Sequence, residues 1–266
     1  MRIPIRTFLA VVVLTACASI PSDLVRKELL PTGKLRVGIG VGASPSAFWA
    51  TRDPATGQPR GVTVDLAIAL AHKLGAPLEL VVYPNSGEVT AAGPKGEWDA
   101  AFMPEDAERR TMVDFGPAYY LSTSTWLVRA GSAIRTLAEV DRPDVSAAGI
   151  ANTTTARTAT ATLKHTKLLS FRTVDELVEK MKAGELDAIA LGRESLQGLQ
   201  PLLPGSRILD GHFHAAGTAI AVPKSRPAAL AYVTEFIEQA KASGIVRRAF
   251  DRAGMQGAAV APPSTQ

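Results

Sequence analysis

Cysteine is all but missing from this chain: Cys17 is the only one in 266 residues. That excludes an internal disulfide and any zinc site built on paired cysteines. Dense runs of lysine or arginine are missing too. The 29 basic residues are scattered among 25 acidic ones, for a formal charge of +4. Such a distribution offers nucleic acid no electrostatic footprint. There is no Gly-x-Ser-x-Gly turn and no phosphate loop, so the usual signatures of serine hydrolases and nucleotide binders are lacking. No apolar run is long enough to span a bilayer.

What is present is an ordinary globular balance, 46% hydrophobic and 20% charged, enough to bury a full core. The length suits two domains, or one domain of two lobes. The first residues read as an export signal: Arg2 and Arg6 are followed by a short apolar core over 7–16. Leu14-Thr15-Ala16-Cys17 resembles the lipobox of bacterial lipoproteins. That resemblance implies a signal peptide over 1–16 and a lipid on Cys17 that tethers the chain to a membrane. A plain secretory signal, cleaved near Ala16 or Ala18, is the alternative. Residues 17–31, with Pro21, Ser22 and Pro31 among charges, are expected to form a tether with one short helical turn.

Alternation at Leu35, Val37 and Ile39 predicts a strand over 34–40. A helix follows over 61–74, capped by Asp65 and stopped by Gly75. Strands over 78–83 and 98–103 flank a helix over 86–92. This β-α-β-α-β order implies a parallel sheet with helices on both faces. After a β-rich stretch at 123–129, a second series repeats the plan, with strands over 146–151, 167–171 and 186–191 and helices over 154–164 and 173–183. A strand over 217–222 and helices over 227–243 and 245–253 close the body. The tail over 257–266, with Pro262 and Pro263, is expected to be disordered. Two α/β units in series suggest an α/β protein of two Rossmann-like lobes facing one another across a cleft. Pattern alone does not separate a binder from an enzyme.

An ordered set of short motifs goes further. It starts with Gly33-Lys34-Leu35-Arg36-Val37-Gly38-Ile39, then Gly57 to Gly61 leading into Val64-Asp65-Leu66-Ala67. Next come Gly96-Glu97-Trp98-Asp99, Glu108-Arg109, Asp114-Phe115 and Pro117-Ala118-Tyr119. Leu127-Val128-Arg129, Asn152-Thr153-Thr154-Thr155, Gly184-Glu185-Leu186-Asp187-Ala188 and Ala219-Ile220-Ala221-Val222-Pro223-Lys224 complete it. In this order the set resembles the family 3 periplasmic solute-binding proteins over 32–254, nearly the whole mature chain. The resemblance implies a type II periplasmic-binding fold. Lobe 1 would comprise 32–125 and 223–256, lobe 2 would comprise 130–218, and 126–129 and 219–222 would be the hinge strands. It implies a monomer that closes on a small-molecule ligand and presents it to an ABC permease in the inner membrane, with no cofactor and no metal.

The candidate ligand residues follow from chemistry and from family position. Arg109 matches the arginine that clamps a ligand carboxylate in amino-acid binders, and a guanidinium offers two parallel donors for that task. A surface Arg109 paired with Glu105 or Glu108 is the simpler alternative. Thr154 and Thr155 open a predicted helix, where free N–H groups suit an anion. Phe48 or Trp49, after Ser44-Pro45-Ser46, would form an apolar wall. Two departures bear on specificity. The Asp that pairs with a ligand ammonium in amino-acid binders is replaced here by Gly192, followed by Arg193, which would oppose an ammonium at short range, and Glu194, which could substitute for the Asp if the turn is shifted. The approach to Arg109 reads Met103-Pro104-Glu105-Asp106, so that Asp106 offers a repositioned amine site. Arg109 with Arg193 would suit a small organic anion at least as well as an amino acid.

Two other functional classes remain. A cyclohexadienyl dehydratase-like enzyme, as resembles these binders, would need a general acid, which Glu105, Asp106 or Glu194 could supply. A ligand-sensing or accessory lipoprotein uncoupled from transport would share the fold. His212 and His214 form a His-x-His pair able to reach one metal from a strand, but the simpler reading is an exposed or hinge-packed pair.

Overall fold

A computed structural model describes residues 21–41 and 48–264. The expected export signal over 1–16, Cys17 and Ser44-Pro45-Ser46 lie outside the described residues.

The chain begins with α1 (Asp23–Leu29), then β1 (Leu35–Gly40). A small hairpin, β2 (Thr51–Arg52) and β3 (Pro59–Arg60), leads into α2 (Val62–Leu74). Next come β4 (Leu78–Tyr83), α3 (Ser86–Ala92), β5 (Ala100–Pro104) and α4 (Ala107–Met112). The long β6 (Val113–Val128) carries the chain into β7 (Ala147–Ile150), α5 (Thr154–Thr162), β8 (Leu169–Phe171) and α6 (Val174–Lys182). Then follow β9 (Ala188–Gly192), α7 (Arg193–Leu199) and β10 (Arg207–Ile208). The returning β11 (His214–Pro223) leads to α8 (Pro227–Ala242) and α9 (Ile245–Arg252).

The strands lie in the order β4-β1-β5-β11-β6-β9-β7-β8, with β10 also on β6. β1 is parallel to β4 and β5, and β7 is parallel to β8 and β9. These are the two α/β units expected. Between them β6 and β11 run antiparallel to each other and to their neighbours. The buried side chains divide accordingly. One large core gathers β1, α2, α8 and α9, and a smaller one surrounds Trp98. Two further cores lie around Trp126 and around Leu177.

Local chemistry explains most element ends. Gly75 closes α2 in the left-handed conformation at φ 61°, where a Cβ would be strained. Thr173 and Glu176 form a reciprocal capping box on α6. The α2 N-cap is Gly61 rather than Asp65, and it makes no side-chain cap bond. Asp65 instead sits within the first turn, where Arg252 of α9 donates to it at 2.8 Å. Helix dipole and ion pair together hold a carboxylate there.

Three further expectations differ from the structure. The tether over 17–31 contains α1, whose Val25 and Leu29 are buried in the lobe 1 core. Glu28 accepts from the Ala229 N–H at 2.8 Å, and Arg226 donates to the Glu28 carbonyl at 2.8 Å. The Val25/Leu29 spacing of four residues, one helical turn, accounts for the docking. The tail, as far as 264, lies along lobe 1: Ala261 N–H donates to Tyr119 O at 2.9 Å and Lys241 to Pro262 O at 2.9 Å. The crossing between lobes also lies elsewhere on both strands. Trp126, Leu127 and Val128 already belong to the lobe 2 cores, and Ala219 to Val222 belong to the lobe 1 cores. The crossing therefore falls near 120–124 on β6 and 214–218 on β11. Polar residues there interrupt the apolar runs, which hides the continuity of the strands from a hydrophobicity reading.

Candidate ligand-binding cleft

Side chains two apart on a strand share a face. On β6 that face carries Ser122 and Ser124. On β11 it carries His214 and Ala216, in register with Ser124 and Ser122 respectively. These four form the floor of a cleft of about 120 Å³. Trp49, Asn85, Ser86, Phe102 and Pro104 form the lobe 1 wall. Ile150, Thr154, Thr155, Leu191, Gly192 and Glu194 form the lobe 2 wall. The cleft opens at the carboxyl ends of the parallel strands, where sheets of this kind take their ligands.

The lobes touch across it. Thr154 donates to Asp106 Oδ2 at 2.8 Å, and Arg157 pairs with the same carboxylate. Arg157 Nε also reaches Glu108 at 3.1 Å. Arg172 donates to Glu88 through Nε and Nη2, at 2.7 and 3.1 Å. That bond, against a smaller burial penalty, holds the Glu88 carboxyl below its ordinary range. Asn85 adds a bond to the Arg172 carbonyl at 3.0 Å. Between these contacts, a Cβ placed on Gly87 would stand 2.7 Å from the Asn152 carbonyl oxygen. Only glycine allows this approach. The arrangement is a closed one.

Charge is distributed unevenly around the cleft. Arg109, on α4, is fully buried. It donates to Pro104 O at 2.8 Å and to Ser86 Oγ at 2.9 Å, both in the cleft wall. Its Nε has no partner, and it forms no salt bridge among the described residues. Burial, with Arg157 nearby, pushes its pKa down to about 10, so it stays charged. Across the cleft, Glu194 lies in the first turn of α7 and accepts from the Tyr120 hydroxyl. Burial raises its carboxyl above the ordinary range, and the Tyr120 bond offsets part of that. On the floor, His214 Nε2 is buried without a partner. Burial lowers its pKa, against an upward pull from Asp106. Among the described residues no three His, Cys, Asp or Glu side chains converge as metal ligands.

The sequence model of the bacterial extracellular solute-binding proteins, family 3, matches residues 35–254. The chain belongs to that family. Its fold is the type II periplasmic-binding fold, and its function is to bind a solute. The glutamine-binding protein of Geobacillus stearothermophilus is 26% identical over 192 residues, covering 70% of this chain and 71% of that protein. The crystal structure of an ancestral amino acid-binding protein, a precursor of cyclohexadienyl dehydratase, superposes with a TM-score of 0.75 at 27% identity, covering 87% of this chain and 99% of that one. The substrate-binding protein of an amino acid ABC transporter gives 0.74 at 25% identity, over 83% and 98%. Among the described residues of this solute-binding protein, no helix is long and apolar enough to cross a membrane.

The structure brings only some of the candidate residues to the cleft. Trp49, Thr154 and Thr155 line it. Thr153 is the N-cap of α5, the Thr154 hydroxyl turns to Asp106, and Thr155 Oγ1 lies 2.7 Å from Ser124 Oγ. Phe48 does not line it. It is buried in the lobe 1 core, 4.8 Å from the Tyr120 ring and 6.4 Å from Phe250. Asp106 caps α4, accepting from Arg109 N–H at 2.8 Å, and is occupied by Thr154 and Arg157. Arg193 turns away from the cleft to the carbonyls of Leu209 and Gly211. Its neighbour Glu194 enters in its place, because consecutive helical residues point about 100° apart. Ser122, Ser124 and His214 were not foreseen from the sequence. The polar alternation at Tyr120, Ser122 and Ser124, read as a continuing strand, is the signal that points to them.

Proposed function

We propose that this protein captures a small zwitterion of amino-acid size, closing its lobes on it, and delivers it to an ABC permease in the inner membrane. One observation carries the reading. A buried guanidinium without an ion pair, Arg109, stands one hydrogen bond behind the lobe 1 wall, and the Glu194 carboxylate stands in the lobe 2 wall. An uncompensated buried charge is costly, and a ligand carboxylate near Ser86 would compensate it. A ligand ammonium would meet Glu194. Arg193, turned away, no longer argues for a purely anionic ligand.

The mechanism is a shift of population. Contacts from both lobes exist together only in the closed form, so a ligand that makes them favours closure. We read the chain as a binder and not as an enzyme because its matched relatives are binding proteins. In the same reading, residues 1–16 direct export, and the chain acts as a monomer held to the membrane through a lipid on Cys17.

Native mass spectrometry of the purified protein, then calorimetry with the L-amino acids, tests this. Glu194→Gln should weaken binding of the preferred amino acid by on the order of 2 kcal/mol. Arg109→Met should cost on the order of 2–4 kcal/mol. Unchanged affinity in Glu194→Gln, or a ligand lacking an amine, rejects the zwitterion reading.

A further inference from the structure

We infer that His214 is a specificity-determining residue. It reads an uncharged hydrogen-bonding group, a carboxamide or hydroxyl, on the ligand's side chain. The inference rests on the amino-acid reading above and adds a third point of recognition to Arg109 and Glu194.

The two serines of the floor and the hydroxyls of Thr154, Thr155 and Tyr120 are committed within the protein. Ser122 Oγ donates to Ala216 O at 3.1 Å and accepts from Thr218 at 3.1 Å. Ser124 and Thr155 share a bond, Thr154 is bound to Asp106, and Tyr120 is bound to Glu194. Five side chains have a fully buried polar atom without a partner among the described residues, and His214 alone of them lines the cleft. His214 Nε2 is shut off from the cleft in this arrangement, so the ring, which lines the cleft, would have to turn to meet a ligand atom, and doing so would remove the ~1–3 kcal/mol cost of a buried nitrogen left unpaired. The imidazole sits on β11 opposite Ser124, on the strand pair that joins the lobes. A ligand gripped at its head group by the two walls would reach the floor with its side chain.

Charge narrows the class. The titratable groups acting on His214 are Asp106, which Thr154 and Arg157 already hold, and the exposed His212. Burial favours the neutral ring at neutral pH. A neutral imidazole can donate or accept, according to its tautomer. That suits an amide or a hydroxyl. A second carboxylate, on the ligand's side chain, would add to the negative charge that Glu194 and the head group already bring to the cleft and be repelled.

Calorimetry on the mature chain with two near-isosteric pairs, glutamine against methionine and threonine against valine, tests the inference. The wild type should prefer the polar member of at least one pair by about tenfold or more. His214→Ala should erase most of that preference, weakening the polar ligand and leaving the apolar one within about threefold. His214→Gln, which keeps a donor and an acceptor, should restore part of it. A polar-to-apolar ratio that is the same in wild type and His214→Ala overturns the role of His214 and leaves the amino-acid reading intact. A wild type that binds these ligands without preferring the polar member does the same. A wild type that binds no amino acid overturns both.

Discussion

Lobe 1 packs Phe48, Phe102, Tyr119, Phe236 and Phe250 into a single core, with ring centroids of neighbouring pairs 6.1–6.5 Å apart. Lobe 2 is wrapped in the same α/β manner but fills two smaller cores, mostly with alanine, valine and leucine, one around Trp126 and one around Leu177. The lobes differ in charge as well as bulk. Lobe 1 offers the cleft a buried cation, Arg109, and lobe 2 an anion, Glu194. Neither lobe alone presents a site for a zwitterion. On the proposed reading the recognition chemistry would exist only when the two meet, so an equilibrium between open and closed forms would be part of the affinity.

The sharpest break in this comparison is a core truncation in each lobe. Phe250→Ala removes a ring from the aromatic core of lobe 1 and should cost about 3–5 kcal/mol of stability. Leu196→Ala in lobe 2, equally buried, should cost about 2–3 kcal/mol, at the lower end for such changes. Urea denaturation gives both values, and a larger loss for Leu196→Ala would reverse the asymmetry.

A smaller effect should appear in the closure and spare the lobes. Gly87→Val places a side chain against Asn152, with its Cβ 2.7 Å from the carbonyl oxygen. Overpacking of this kind costs ~1–3 kcal/mol, here charged to the closed form alone. Affinity should fall about 10–100-fold while the melting temperature of the unliganded protein stays near that of the wild type. Small-angle scattering with ligand should then report a more open particle. A wild-type scattering profile with wild-type affinity would mean that the lobes close without this approach.

The smallest effect concerns the Asp106 clasp between lobes. Burial opposes its charge, but the Arg109 N–H, Arg157 and Thr154 together outweigh that and hold the carboxyl below its ordinary range. A depressed carboxylate stabilises the folded form above its unfolded pKa, ~3.9. That contribution disappears as pH falls through the folded value. Asp106→Asn should therefore lower stability by about 1 kcal/mol at neutral pH. The difference from wild type should shrink towards zero in acid. Melting curves from pH 7 to pH 3 check this, and a gap that widens in acid would contradict the sign.

Much of the architecture was legible because it depends on local periodicity. The alternation of Leu35, Val37 and Ile39, the glycine stop at Gly75 and the order of strands and helices in both lobes are short-range signals. The cleft was less so. Arg109 was legible as a residue but not its depth, because burial is set by α3 and β5 folding over it. Phe48 and Trp49 are adjacent in sequence and end on opposite sides of the wall, one in the core and one in the cleft. Arg193, a candidate for the cleft, turns to the carbonyls of Leu209 and Gly211, whereas Glu194, the possible stand-in for the missing Asp, lines it. His214 was read as part of a pair with His212, because its true neighbour, Ser124, is 90 residues away and known only from strand register.

The sequence by itself determined two α/β units in series, their connection by crossing strands and membership of one solute-binding family. Those features are written in apolar period, glycine placement and motif order. Only the tertiary structure decided which charges stand beside the cleft. That depends on side-chain direction within α4 and α7 and on how closely Gly87 lets the lobes approach, and both are set by packing between segments far apart in the chain.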